Sequence, residues 1–102
     1  MASIPNRTPN ILAASGAVVP GFLNHITLGS AAALTLAAPT VDGQEAVFID
    51  ETGHAHTVTT PATLINGVDH IATFGGTAGS SIYLVSRNGV WWAIALNGVT
   101  LS

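Results

Sequence analysis

The feature that most constrains the fold is an Asn-Gly dipeptide between two apolar runs near the C-terminus. The run "SSIYLVS" precedes Asn88-Gly89, and "VWWAIAL" follows it. Asn-Gly in this setting is the strongest short-range signal for a β-hairpin, because a type I′ turn needs positive φ at both central residues. The sequence therefore predicts an antiparallel hairpin in which Ser86 faces Trp91 and Val85 faces Trp92.

Both faces of this predicted hairpin are apolar. One face carries Ile82, Leu84, Trp91, Ala93 and Ala95, and the other carries Tyr83, Val85, Val90, Trp92 and Ile94. A half-exposed antiparallel strand would alternate apolar and polar residues. We therefore expect the domain's own core to cover one face and a neighbouring subunit to cover the other. The predicted subunit interface consists of Tyr83, Val85, Trp92 and Ile94, with the opposite face an equal candidate.

The chain before the hairpin is a series of short strand-like runs separated by turn signals. The runs are "HITL", "ALTLAAP", "EAVFID", "HAHTVTT" and "HIATF", with turns at Asp42-Gly43 and Asn66-Gly67. The alanine-rich "SAAALTLAA" has helix propensity, yet its Leu-Thr-Leu alternation and the following Pro39 favour a strand. The sequence predicts an all-β domain over residues 26–102, a small antiparallel β-sandwich or a jelly-roll-like barrel.

Residues 1–25 differ from the rest because they carry three prolines and show no sustained period of 2 or 3.6. Proline fixes its own φ and pushes the preceding residue toward extended geometry. We expect an extended N-terminal arm that docks on a partner, and a loose tail is the alternative. The apolar residues predicted to dock are Ile4, Ile11, Leu12, Val18, Val19 and Phe22.

Charged side chains make up only 7% of the chain, far below the usual value of about 25%. Soluble monomers normally keep themselves apart with mixed surface charge, so much of this surface is expected to be covered by copies of the chain or by a partner. Two basic residues cannot supply a phosphate footprint, which argues against nucleic-acid binding. The absence of cysteine excludes disulfides and thiolate metal sites. No segment approaches the about 20 apolar residues of a membrane span.

Two histidines in "GHAHTVTT" raise the question of a metal site. A turn at residues 51–53 would make a hairpin in which Asp50 or Glu51 lies opposite His54. His56 would share the face of His54 because the strand period is two. The candidate metal ligands are thus His54, His56 and Asp50, but the remaining histidines, His25 and His70, are isolated and stand at no diagnostic spacing. The interpretation preferred here is a polar hairpin face with an exposed histidine–acid pair.

Motifs of catalysis are missing from the sequence. It contains no nucleophile elbow and no Gly-rich phosphate loop. So small a domain also has little room for a deep pocket. We expect no catalytic residue, no cofactor and no enzymatic activity.

An ordered succession of segments resembles small structural proteins of tailed bacteriophages. The segments are "ALTLAAPTVDGQEAVFI", "AHTVTTP", "TFGG" and "GSSIYLVSRNGVWWAIALNGVTLS", and the resemblance covers residues 26–102. These relatives are head decoration, cement or head-fibre proteins. The resemblance implies a non-enzymatic β domain, usually trimeric, that reinforces an assembled capsid. In "GVWWAIA" the chain has two tryptophans where the pattern has one.

The residues and the resemblance lead to one expectation about function. We expect a capsid decoration or cement protein, made in the host cytoplasm, that binds the major capsid protein as a homotrimer on the outer surface of the virion. The alternatives are a receptor- or glycan-binding module of a tail fibre or tail tip, and a small metal-dependent enzyme.

Overall fold

The structure is a computed structural model that describes residues 8–19 and 21–102. In these ranges the chain forms ten β-strands and no helix, so the all-β prediction is confirmed. The strands are β1 (Asn10–Leu12), β2 (Gly16–Ala17), β3 (Leu23–Ile26), β4 (Ala33–Thr35), β5 (Glu45–Asp50), β6 (Thr57–Thr59), β7 (Ile71–Phe74), β8 (Ser81–Arg87), β9 (Val90–Asn97) and β10 (Val99–Leu101).

The strands make two five-stranded sheets. Sheet A has the order β1-β3-β5-β8-β9, and sheet B has the order β10-β7-β6-β4-β2. The first six strands alternate between the sheets, so β1, β3 and β5 pair in parallel in sheet A while β2, β4 and β6 pair in parallel in sheet B. The later strands add antiparallel pairs. The prediction of antiparallel sheets is therefore wrong for the first six strands. Each of their connections carries the chain across the core into the other sheet.

One hydrophobic core lies between the two sheets and takes alternate residues from the strands. Sheet A contributes Ile26, Phe48, Ile82, Leu84 and Trp91, and sheet B contributes Leu34, Val58, Ala72, Phe74 and Val99. The indole Nε1 of Trp91 donates a hydrogen bond to the Ala37 carbonyl at 3.0 Å. Trp91 therefore ties sheet A to the segment that follows β4 as well as filling the core.

A pair of asparagines in register holds the parallel part of sheet A together. Asn10 of β1 lies beside Asn24 of β3, and the Asn10 Nδ2 donates to the Asn24 Oδ1 at 2.9 Å. The Asn24 Nδ2 donates in turn to the Val47 carbonyl of β5 at 3.1 Å. Asn24 is fully buried, so these bonds satisfy a polar group that would otherwise cost stability.

The C-terminal hairpin has the predicted turn and the predicted register next to it. Asn88 and Gly89 both have positive φ, and Ser86 pairs with Trp91 as expected. Farther from the turn, a β-bulge shifts the register so that Tyr83 lies opposite Ala95 and not opposite Ile94. Ala95 therefore leaves the face of Trp91, to which the regular alternation had assigned it.

The N-terminal segment is built into the sheets from Asn10 onward. The strand Asn10–Leu12 is the edge of sheet A, and Gly16–Ala17 is the edge of sheet B. Val18 is part of the core at 8% exposure. The β domain therefore includes residues that the sequence analysis had assigned to a separate arm. Strands of only two or three residues are too short to show an alternation of apolar and polar residues in the sequence. Ile4 lies outside the described residues.

Candidate functional site

Asp50 and His56 form a buried polar pair at one end of the core. Asp50 ends β5 in sheet A, and His56 directly precedes β6 in sheet B. The His56 Nε2 lies 3.1 Å from the Asp50 Oδ1, and both side chains are fully buried. The Ala32 backbone N–H donates to the His56 Nδ1 at 2.9 Å, which leaves the ring hydrogen on Nε2, pointing at the carboxylate.

Asp50 is held as a carboxylate by its hydrogen bonds. Burial alone raises the pKa of Asp50, because it disfavours the charged form. The backbone N–H groups of Thr52 and Gly53 each donate to Oδ1 at 2.9 Å, and His56 adds a third contact. Together these contacts bring the pKa of Asp50 below its ordinary value.

The geometry of this pair corrects the hairpin that the sequence predicted. β5 and β6 lie in different sheets and do not pair, so no register places Asp50 or Glu51 opposite His54. The acid contacts His56 and the pair is buried, whereas the preferred interpretation was an exposed pair involving His54. The His54 ring centroid is 6.0 Å from that of His56. In the described part of the chain, no three His, Asp or Glu side chains are grouped so as to hold a metal ion.

A second histidine–acid pair, missed by the sequence reasoning, lies at the surface. The His25 Nδ1 is 2.6 Å from the Glu51 Oε2, with both side chains partly exposed. Residues so far apart in sequence meet because β3 and β5 are parallel neighbours in sheet A. Exposed ion pairs contribute about 0–1 kcal/mol to the free energy of unfolding, so this contact adds little stability.

A small apolar cavity of about 130 Å³ lies beside Trp91, between Val18, Leu36 and Ala46. Its polar side chains are already engaged within the fold. The Gln44 Oε1 accepts the Thr40 N–H, and Glu45 accepts the hydroxyl of Tyr83. The cavity therefore presents no combination of acid, base and nucleophile.

The two faces of the β8–β9 hairpin, which the sequence left as equal candidates, have different environments. Ile82, Leu84 and Trp91 belong to the core. On the other face Trp92 is 44% exposed and Ile94 is 61% exposed. The face outside the core is thus the one that carries the four residues predicted for a subunit interface.

Tyr83 and Val85, the other two of these residues, are half-buried on the same face. The rings of Phe22 and Tyr83 meet edge to face with centroids 5.9 Å apart. The Tyr83 hydroxyl also donates to the Glu45 carboxylate. Tyr83 is therefore fixed in place by its neighbours, so the aromatic surface beside Trp92 is preorganised.

The residues predicted to dock on a partner are split by the fold. Val18 lies in the core and Leu12 packs against it, so neither is free to anchor a partner. Ile11 and Val19 remain at the surface, with exposures of 59% and 68%. Phe22 is half-buried beside Tyr83. Of the described candidates, Ile11 and Val19 keep the exposure that docking requires.

Comparison with protein-family models finds no matching family, and comparison with curated proteins finds no matching chain. The described residues include no apolar helix of membrane-spanning length.

Proposed function

We propose that this chain is a non-enzymatic virion protein, a capsid decoration or cement subunit that acts as a homotrimer on the outer surface of a bacteriophage head. The observation that carries the proposal is the apolar face of the β8–β9 hairpin outside the core, where Trp92 and Ile94 are exposed at 44% and 61%. Large exposed aromatic and aliphatic side chains next to each other are typical of protein interfaces.

The low charge of the chain supports an assembled state. With two basic and five acidic residues in 102, little electrostatic repulsion opposes the approach of a second copy. Each square ångström of apolar surface that leaves water contributes about 25 cal/mol. On a capsid the same weak contact is repeated many times, so avidity raises the overall affinity.

The N-terminal strand region supplies the surface proposed to bind the major capsid protein. Ile11 and Val19 are exposed in or beside the edge strands of the two sheets. An edge strand presents backbone groups that an extended segment of a partner can pair with. The resemblance to phage head proteins supports the capsid as that partner.

Co-sedimentation with capsids that lack decoration protein tests the proposal. The wild-type chain is expected to sediment with the capsids and to saturate at a fixed ratio. The double variant Ile11→Asp, Val19→Asp should lose binding. The matched control is Val68→Asp, because Val68 is 72% exposed in a turn outside the N-terminal region. Absence of wild-type binding, or binding by the double variant equal to that of the control, contradicts the respective part of the proposal.

The tail-fibre or tail-tip alternative is favoured by one feature, the exposed ring of Trp92. An aromatic face can stack on a sugar ring, which would suit a receptor-binding module. Binding of the isolated protein to a glycan array, lost in Trp92→Ser and accompanied by no capsid binding, would select this alternative.

A further inference from the structure

We infer that the outer face of strands β3, β5, β8 and β9 of sheet A, and not the β8–β9 hairpin alone, is the surface through which copies of this chain associate. This inference deepens the proposed function, on whose assembled state it rests. It adds residues of β3 and β5 that the sequence had not connected with the hairpin, and it commits to a second copy of the chain as the occupant.

The strand registers place an uninterrupted apolar row across four strands of sheet A. Leu23 of β3 lies beside Val47 of β5, which lies beside Tyr83 of β8, which lies beside Ala95 of β9. Leu23, Val47 and Tyr83 alternate with buried residues along their strands, and Ala95 lies opposite Tyr83, so all four point away from the core. The row therefore joins the centre of the sheet to the exposed hairpin.

One flanking row extends the apolar surface, and the other bounds it. On one side Val85 lies between Glu45 and Trp92. On the other side Ile49 lies between His25 and Ser81, so polar side chains end the apolar surface there. The apolar face thus reaches from the edge strand β9 to β3.

The outer face of sheet B has a different chemistry, which separates the two surfaces. One row across sheet B is Ala33, Thr57, Thr73 and Thr100, and the next is Ala17, Thr35, Thr59 and Ile71. Threonine combines strand propensity with a hydroxyl that water can solvate. Sheet B therefore has a face suited to solvent, while sheet A has a face suited to burial.

The size of the face fits an interface between copies. The four strands have 4, 6, 7 and 8 residues. At about 3.4 Å per residue and about 4.8 Å between strands, their face measures about 400 Å². A standard interface uses about 800 Å² from each partner, so this face supplies about half of one. Its central row carries no charged group, and the carboxylate of Glu45, in the row of Val85, accepts the Tyr83 hydroxyl. Strongly apolar interfaces of this kind are characteristic of homo-oligomers, so a second copy fits better than a charged partner.

The edge strand β9 supports the same occupant. Near the turn its edge is covered, because the Trp91 N–H donates to the Leu64 carbonyl and the Asn66 N–H donates to the Trp91 carbonyl. Ile94 in the bulge and Leu96 beyond it are exposed at 61% and 46%. A long apolar strand at the edge of a sheet is a template for pairing with another chain. The second copy is thus expected to cover this half of β9 as well as the face beside it.

A pair of matched charge substitutions tests the inference. Val47→Glu places a carboxylate in the central row of sheet A, and Thr59→Glu places the same group on the outer face of sheet B. Both positions are half-buried in strands that have a neighbour on each side. Light scattering after size-exclusion chromatography at micromolar concentration measures the mass, and circular dichroism reports the fold.

We expect the wild-type chain to elute at about three times the 10.3 kDa of one chain. Val47→Glu should lower this mass threefold with an unchanged β spectrum, and Thr59→Glu should leave it unchanged. If Val47→Glu does not fold, the mass of Ile94→Asp is measured in its place. Ile94 is well exposed, so its substitution leaves the core intact. The inference is overturned if the wild type is monomeric, or if Val47→Glu or Ile94→Asp keeps the full mass. It is also overturned if Thr59→Glu dissociates the assembly.

Capsid co-sedimentation of the same proteins separates this inference from the proposed function. A chain that associates through sheet A but does not bind capsids leaves the inference standing and refutes the capsid role. A chain that binds capsids as a monomer refutes the inference and leaves capsid binding standing.

Discussion

The His56 Nε2 lies 3.1 Å from the Asp50 Oδ1 in a fully buried pair, although the chain passes from sheet A to sheet B between these two residues. The pair and its neighbour Thr52 also hold the connection from β3 to β4 in place. The Ala32 N–H donates to the His56 Nδ1, and the Thr52 hydroxyl donates to the Leu28 carbonyl at 2.8 Å. The β3–β4 and β5–β6 connections, which both run from sheet A to sheet B, are therefore joined by one polar cluster at the end of the core.

The stability of the protein should fall in acid because of Asp50. Its pKa in the folded state lies below its ordinary value of about 3.9, so the carboxylate binds its proton more weakly in the folded state than in the unfolded state. This contribution is fully present above about pH 4 and is lost as the pH falls through the lower pKa of the folded state. Melting temperatures from pH 7 to pH 2 should show a large deficit of Asp50→Asn at neutral pH that narrows in acid. A constant deficit would contradict this, and the exposed Asp42→Asn is the control.

Chelators should leave the melting temperature unchanged. The His56 Nδ1 accepts the Ala32 N–H, and its Nε2 is directed at Asp50, so neither nitrogen can bind a metal without breaking a buried hydrogen bond. Elemental analysis of the purified protein should find no stoichiometric metal, with His54→Ala giving the same result as the wild type. A chelator-induced drop of several degrees, absent in His54→Ala, would revive the metal site.

Replacing Asn24 with alanine should destabilise the domain by about 2–3 kcal/mol, because a buried polar network loses its centre. The Asn24 amide donates to the Val47 carbonyl, and its oxygen accepts from Asn10. Asn10→Ala should cost less, since Asn10 is half-buried and water can replace part of its bonding. Chemical denaturation of the two variants measures the difference, and equal losses would contradict the asymmetry.

Two glycines with similar backbone angles should respond differently to alanine. Gly89 has φ +74° and open space around the position of a Cβ, so Gly89→Ala should cost about 1–2 kcal/mol from the left-handed conformation alone. Gly98 has φ +67°, and a Cβ there would lie 2.5 Å from the Ser80 Oγ. Gly98→Ala should therefore lose more stability in thermal unfolding. If Gly98→Ala loses less stability than Gly89→Ala, the Ser80 side chain can move away from the added Cβ at little cost.

Local patterns predicted those parts of the fold in which neighbours in sequence are also neighbours in space. The Asn88-Gly89 turn and the pairing of Ser86 with Trp91 follow from turn chemistry and alternation. The bulge beside Tyr83 does not, because an extra residue in one strand leaves the alternation of the sequence unchanged.

The parallel pairing of the first six strands lies beyond local patterns. Leu23 and Val47 are neighbours in sheet A although they are 24 positions apart in the sequence, and no turn signal connects them. The segment "EAVFID" was identified from the sequence only as a strand-like run. The sequence could not say that its outer residues, Val47 and Ile49, continue the surface of the hairpin.

The sequence by itself determined that this chain forms strands, that a tight turn lies at Asn88-Gly89, and that few of its residues are charged. The tertiary structure decided which tryptophan enters the core, which histidine meets Asp50, and which sheet has the apolar outer face. The physical reason is the range of the interactions: turns and strand alternation depend on adjacent residues, whereas burial and parallel pairing depend on where distant segments cross the core.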